Sequence, residues 1–374
     1  MTIYPITFLD HAPAWTPGYS TWQAERISPI RRVGYSLRNL AENGLINSFM
    51  FEAFQLSTGL ADLSWRLLWA DTDDLPDEQS VTNIVRTAEG ILVFLHGWDG
   101  SGEVWEDLPA EIIQRNPRLM ALVPDVNGFG GTPFIDPLPS LELCAPPGLM
   151  IAIERWLELL ELRSAVDTPV QRPFIFVGHS MGGAALFFMD ESHWDPCEVG
   201  RIASAPALLM TDPIRQRFYR TLGAGIRISA WNDLAGRLAE EVIAPRVIDA
   251  LAGGASDFVR AEHQRIFRET PEGVIAQTFA AMGLLNAELM REDWPHFHVF
   301  LAHRDRLVGL QPTLELLEEL SFSPSQIQIA LGDHYFFSIG KDAKMHGLNR
   351  ELLIKDILEM HRDLMEHQML GTKH

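Results

Sequence analysis

The chain has 374 residues, enough for one large α/β domain carrying an insertion, and long enough to bury about 75% of its unfolded surface without covalent staples. Its formal charge of −20, from 50 acidic against 30 basic residues, repels phosphate backbones and anionic lipid, so nucleic acid is not expected as a partner. The two cysteines, Cys144 and Cys197, lie far apart and outside any metal-ligand spacing, which argues against a disulfide scaffold.

At the N-terminus, Met1-Thr2-Ile3-Tyr4-Pro5 lacks a basic stretch followed by an apolar one. No run approaches the ~20 apolar residues of a bilayer span, so the expectation is a cytoplasmic protein with no integral membrane segment. Residues 1–85 read as an unusual, partly helical N-terminal extension. Within it, residues 37–63 look helical, with Leu40, Ile46, Phe49, Met50, Phe54 and Leu56 supplying apolar faces. Residues 64–69 suggest an early strand, and the acidic stretch 72–78 an exposed loop.

Continuous apolar runs follow at residues 91–95, 120–124, 174–177 and 298–302, with weaker ones at 199–203 and 326–330. Such runs fit strands buried on both faces, and the helical pattern at 149–162 fits a crossover between them. The alternation predicts a doubly wound, mostly parallel sheet built from residues 86–206 and 291–374. Residues 207–290 carry no strand signal and are broken by Pro213, Gly223, Pro245, Gly253-Gly254 and Pro271. They read as a helical cap inserted over the C-terminal edge of the sheet. Its apolar residues include Phe218, Trp231, Leu234, Phe258, Phe267, Phe279, Met282 and Leu285. Most of these would form the cap's own core, and the rest suggest a substrate with an apolar moiety.

The chemistry begins at Gly178-His179-Ser180-Met181-Gly182, which follows an apolar strand and leads into Gly183-Ala184-Ala185-Leu186. A Gly-x-Ser-x-Gly pattern at a strand-to-helix corner lifts the serine hydroxyl clear of the sheet, and the helix start turns free N–H groups toward developing negative charge. A serine needs a base. His334 lies just past the 326–330 strand, on the expected edge; His361, His367 and His374 fall in a polar tail and His263 in a charged helix. His296 and His298 would share a strand face, but no third metal ligand is apparent. Asp305 follows the 298–302 strand and would orient the imidazole. Asp333 adjoins His334 and diverges from it, and Asp212 is the reserve acid. For the oxyanion, Phe94-Leu95-His96-Gly97-Trp98 ends a strand, so that the Trp98 and Met181 N–H groups could converge. His96, Gly97 and His179 are expected to border the substrate.

The order Ser180, Asp305, His334, together with these fragments, resembles the α/β-hydrolase superfamily. Asp125-Val126-Asn127-Gly128-Phe129-Gly130-Gly131-Thr132 looks like that superfamily's post-strand D-x-x-G-x-G-x-S segment, with Thr132 where serine is usual. The resemblance covers residues 88–206 and 290–360 and implies Ser180 as nucleophile, Asp305 as acid, His334 as base, and Trp98 and Met181 as oxyanion donors. No cofactor and no metal are expected. A serine at the elbow argues against haloalkane dehalogenases and epoxide hydrolases, which look similar but use aspartate there.

The leading reading is a serine esterase or lipase-like enzyme acting on a small acyl substrate through an acyl-enzyme. The same triad would serve C–C bond hydrolysis, thioester hydrolysis, peracid formation or acyl transfer, and a catalytically silent binding protein is the remaining alternative.

Overall fold

Consecutive apolar residues form the centre of an eight-stranded sheet whose strands lie side by side in the order 30–36, 64–70, 119–124, 90–95, 174–179, 199–204, 297–302 and 327–330. The computed structural model of the chain describes residues 30–70, 88–162, 172–190, 194, 199–229, 244–287, 290, 295–340 and 343–371. The acidic stretch 72–78, Cys197, Trp231, Leu234 and His374 lie outside them.

The chain opens with β1 (Ile30–Ser36), α1 (Leu37–Glu42), α2 (Ser48–Thr58) and β2 (Ser64–Ala70). β2 runs antiparallel to both β1 and the strand at 119–124, so residues 30–70 add an antiparallel edge to the same sheet. β1 carries Arg31, Arg32 and Gly34 and no apolar alternation, as is common for edge strands; Arg32 is held by Glu103 at 2.5 Å. The single helix expected over 37–63 is two. Asn43 ends α1, Gly44 takes φ 67, Asn47 caps α2 through its side chain, and Gly59 closes α2 with φ 69.

The remaining strands are parallel. After β3 (Gly90–Leu95) come α3 (Leu108–Arg115), β4 (Leu119–Pro124), α4 (Leu141–Cys144), α5 (Pro146–Leu159), β5 (Phe174–His179), α6 (Met181–Ala185) and β6 (Val199–Ser204). Every residue of β3, β4, β5 and β6 is buried, the pattern of strands covered on both faces. Between β6 and β7 (Phe297–Ala302) the described residues form α7 (Pro213–Ser229), α8 (Ala244–Ala252), α9 (Asp257–Glu269) and α10 (Glu272–Met282). Finally α11 (Leu310–Glu319), β8 (Ile327–Ala330) and α12 (Ala343–Gly371) complete the chain.

The C-terminal segment is a helix, not a polar tail. Leu353, Ile354, Ile357, Met360 and Leu364 are buried along one face of α12. His361 lies on that buried side against Gly90, where even a Cβ would come within 2.6 Å of its ring. Register brings Leu95 beside Gly178, His179 beside Ser204, and Ala302 beside Ala330. The carboxyl ends of β3, β5, β6, β7 and β8 therefore share one edge of the sheet, where sites gather in folds of this type. Among the described residues, no helix is long and apolar enough to cross a membrane.

Candidate active site

Ser180 stands between β5 and α6 with φ 53 and ψ −115, a strained conformation of the kind stored at functional turns. The turn is tied down from both sides: Ser180 N–H donates to Ser204 O at 3.0 Å, and the Ala184 and Ala207 N–H groups donate to Ser180 O at 2.8 and 3.0 Å. Its glycines answer to crowding. A Cβ on Gly182 would lie 2.3 Å from Leu95 O, and one on Gly97 would lie 2.8 Å from the Ser180 Cβ. The loop after β3 thus runs directly against the serine.

Asp305 follows β7 and is buried with His334, which follows β8. The Asp305 Oδ2 lies 2.7 Å from His334 Nδ1, while Oδ1 accepts the Leu307 and Val308 N–H groups at 2.9 and 3.0 Å. Burial alone would raise the Asp305 carboxyl; the facing His334 ring and these two main-chain donors hold it below the ordinary carboxylate value. A carboxylate on Nδ1 selects the tautomer with its free lone pair on Nε2, and His334 Nε2 is buried with no hydrogen-bond partner among the described residues. Asp212 is engaged elsewhere: it caps the start of α7 by accepting the Ile214 and Arg215 N–H groups and pairs with the Arg215 side chain.

The Trp98 side chain is anchored on α10 by an indole N–H bond to Thr278 Oγ1 at 3.0 Å and an edge-on contact with Phe279 at 4.5 Å. Met181 is the first residue of α6, where a helix N–H has no intrahelical acceptor. Trp98, Ser180, Tyr219, Leu251, Phe279 and Met282 line a cavity of about 350 Å³, so α7, α8 and α10 all face the serine.

His96 and His179 do not line that cavity, contrary to the expectation that they border the substrate. His96 is fully buried; its Nε2 accepts the Val126 N–H at 2.8 Å and its Nδ1 donates to Gly97 O at 2.7 Å. Burial lowers its pKa to about 4, keeping it neutral as a brace between the Gly97 and Asp125 loops. His179 Nε2 donates to His334 O at 3.1 Å, and its ring lies 4.6 Å from the His334 ring. It braces the His334 ring from behind. Asp125 is likewise structural, accepting the Gly102 and Gly131 N–H groups, each at 2.8 Å, and facing Arg66. Thr132 Oγ1 donates to Asp125 O at 2.8 Å, which accounts for a hydroxyl at that position.

Behind the site lies a polar cluster that sequence reading missed. His263, set aside as part of a charged helix, is fully buried on α9. Its Nδ1 donates to Asp99 O at 2.5 Å and its Nε2 accepts the Tyr335 hydroxyl at 2.7 Å. The helix thereby joins the residue after Trp98 to the residue after His334. Amphipathic spacing could not reveal this, because the partners are 164 and 72 residues away. Asp99 is fully buried, with φ 56; its Oδ2 lies 3.7 Å from His263 Nδ1, and neither carboxyl oxygen has a hydrogen-bond partner among the described residues.

Burial raises the Asp99 carboxyl to about 7, against the opposing pull of His263. The folded state then keeps a proton that the unfolded chain releases near the ordinary carboxyl value of 3.8. Stability should therefore fall as pH rises from about 4 and should level off above about 7. Asp99→Asn has no such proton to lose. Its melting temperature should drop less than that of the wild type between pH 5 and pH 8, and equal drops would refute the buried-acid explanation.

Among the described residues, no group of three or more His, Cys, Asp or Glu side chains is disposed to hold a metal ion. His298 instead contacts Asp356 at 2.9 Å, and the His296 ring lies 5.3 Å from that of His367.

The family model described as "Alpha/beta hydrolase family" matches residues 92–353. No match is found among curated proteins. Of the solved structures, a laboratory-evolved variant of potato epoxide hydrolase superposes with a TM-score of 0.55 at 12% identity, covering 81% of this chain and 97% of that one. An esterase from Exiguobacterium antarcticum gives 0.51 at 12% identity, covering 74% and 93%. A bromoperoxidase from Bacillus anthracis gives 0.51 at 17% identity, covering 79% and 96%. At these identities the likeness is one of fold, and the three activities named differ. With the match spanning most of the sheet and the loops at its carboxyl edge, the chain belongs to the alpha/beta hydrolase family.

Proposed function

We propose that this hydrolase cleaves an ester-type acyl bond through a serine acyl-enzyme, with Ser180 as nucleophile, His334 as base and Asp305 as its orienting acid. The observation that carries the reading is the buried Asp305–His334 pair on the same sheet edge as a strained elbow serine that opens into an apolar cavity. Epoxide opening through an ester intermediate would need a carboxylate where Ser180 stands.

In this mechanism His334 Nε2 takes the Ser180 hydroxyl proton as Oγ adds to the acyl carbonyl. The oxygen's developing charge is met by the Trp98 and Met181 N–H groups. Collapse of the adduct breaks the bond to the alcohol, which leaves with the proton from His334. Water, deprotonated by the same nitrogen, then releases the acid and restores Ser180. Reaction with a fluorophosphonate probe, followed by mass mapping of the labelled peptide, tests the assignment: the label should sit on Ser180, and a protein that stays unlabelled refutes it.

In the same reading, residues 207–290 act as a cap that selects the substrate. Phe279 supports this, since it lines the cavity and lies between Trp98 at 4.5 Å and Tyr219 at 4.6 Å. Phe279→Ala should move the preferred acyl chain toward longer or bulkier groups, mostly through KM, and leave kcat for short activated esters within about threefold. A lower melting temperature with an unchanged chain-length profile would mean that Phe279 only packs the helices.

A further inference from the structure

The cavity in front of Ser180 is apolar on nearly every side, and its few polar side chains can be accounted for individually. Ser180 supplies the nucleophile, and the Trp98 indole N–H is already committed to Thr278. Tyr219 is the exception. It is 6% exposed, lines the cavity from α7, and its hydroxyl has no hydrogen-bond partner among the described residues. The hydroxyl is not one of the buried unpaired polar atoms; it keeps accessible surface, where an acceptor on a ligand can replace water.

The ring is held in place. It stacks on Phe279 at 4.6 Å with 16° between the planes and meets Phe218 edge-on at 5.8 Å. The hydroxyl is thus presented to the cavity on a rigid support, which lowers the entropy lost when a ligand binds. Burial, reinforced by the Asp305 carboxylate, pushes the phenol above its ordinary range, so it stays protonated and able to donate.

We propose that Tyr219 is the polar recognition point of this cavity, and that the preferred substrate is an ester whose apolar portion carries an oxygen acceptor of the keto, hydroxyl or ether type. The proposal deepens the acyl-ester reading above and rests on it. A site built to hydrogen-bond one substrate group discriminates strongly against the analogue that lacks it, because the protein group is then left unpaired.

Binding to Ser180→Ala protein separates recognition from turnover, since this variant does not need to hydrolyse the ligand. Ethyl hexanoate and its 3-oxo, 4-oxo and 5-oxo analogues would be titrated calorimetrically, together with hexyl acetate and 5-oxohexyl acetate for the alcohol side. At least one oxo ester should bind about tenfold or more tightly than its hydrocarbon counterpart. Adding Tyr219→Phe should remove that advantage and leave the hydrocarbon esters' affinity within about twofold. Equal affinity across the series, no binding by any ester, an advantage that survives Tyr219→Phe, or equal weakening of both kinds of ester would each overturn the proposal. Wild-type labelling by a fluorophosphonate reports separately on the acyl-enzyme reading, so a failure there is distinguishable from a failure here.

Discussion

Ser180→Ala is expected to lower ester hydrolysis by about four orders of magnitude or more, to the level left by binding and oxyanion contacts alone. The methyl group offers no attacking atom, and neither His334 nor Asp305 is placed to substitute for one in the proposed mechanism. The fold should be indifferent to the change. The elbow is held by main-chain bonds to Ser204, Ala184 and Ala207, and none of them involves the hydroxyl. Initial rates on a short activated ester, with melting temperatures measured on the same preparations, provide the check. Full turnover by the pure alanine variant would remove Ser180 from the chemistry, while a collapse in melting temperature would make the lost rate uninformative about mechanism and call for Ser180→Cys.

Asp305→Asn should cost about 10³- to 10⁴-fold in kcat, through the tautomer of His334 and with little effect on packing. The Leu307 and Val308 N–H groups both point at Oδ1, so an asparagine would place its amide oxygen there. Its NH₂ would then face His334 Nδ1, which can accept that bond only by moving the ring proton to Nε2. An Nε2–H imidazole cannot take the serine proton. Asp212→Asn is the control. Asparagine caps a helix nearly as well as aspartate, and a part-exposed pair with Arg215 is worth little, so less than about 1 kcal/mol of stability and almost no activity should be lost. Comparison of kcat and its pH profile for the two variants decides the matter; inactivation by Asp212→Asn alone would move the acid to the loop after β6.

The central strands could be read from the sequence because burial on both faces leaves a local mark. Residues 91–95, 120–124 and 174–177 are unbroken apolar runs, and each lies within a fully buried strand. The glycine-flanked serine was equally legible, since the turn after β5 tolerates no Cβ at 182 and so writes itself into the sequence. By contrast, β1 gives no such signal: it is an edge strand with two arginines, and its place depends on pairing with β2 some thirty residues on. The break within 37–63 shows the same limit, because helical spacing continues across Asn43-Gly44 while the backbone does not.

Local commitments can be read along the chain: the doubly covered strands, the serine elbow, and acidic and histidine loops that follow later strands. Which side chains meet depends on the packing of distant segments. His263 reads as one polar residue of a charged helix, yet it bridges Asp99 and Tyr335 out of solvent. His361 reads as part of a tail and packs under the sheet beside Gly90. Tyr219 is one aromatic among several until α7 is laid against α10 and its ring stacks on Phe279 at the wall of the cavity. Propensity and periodicity are properties of neighbours along the chain, whereas burial of a polar group depends on segments brought together from far apart, and no window of sequence contains both sides of such a contact.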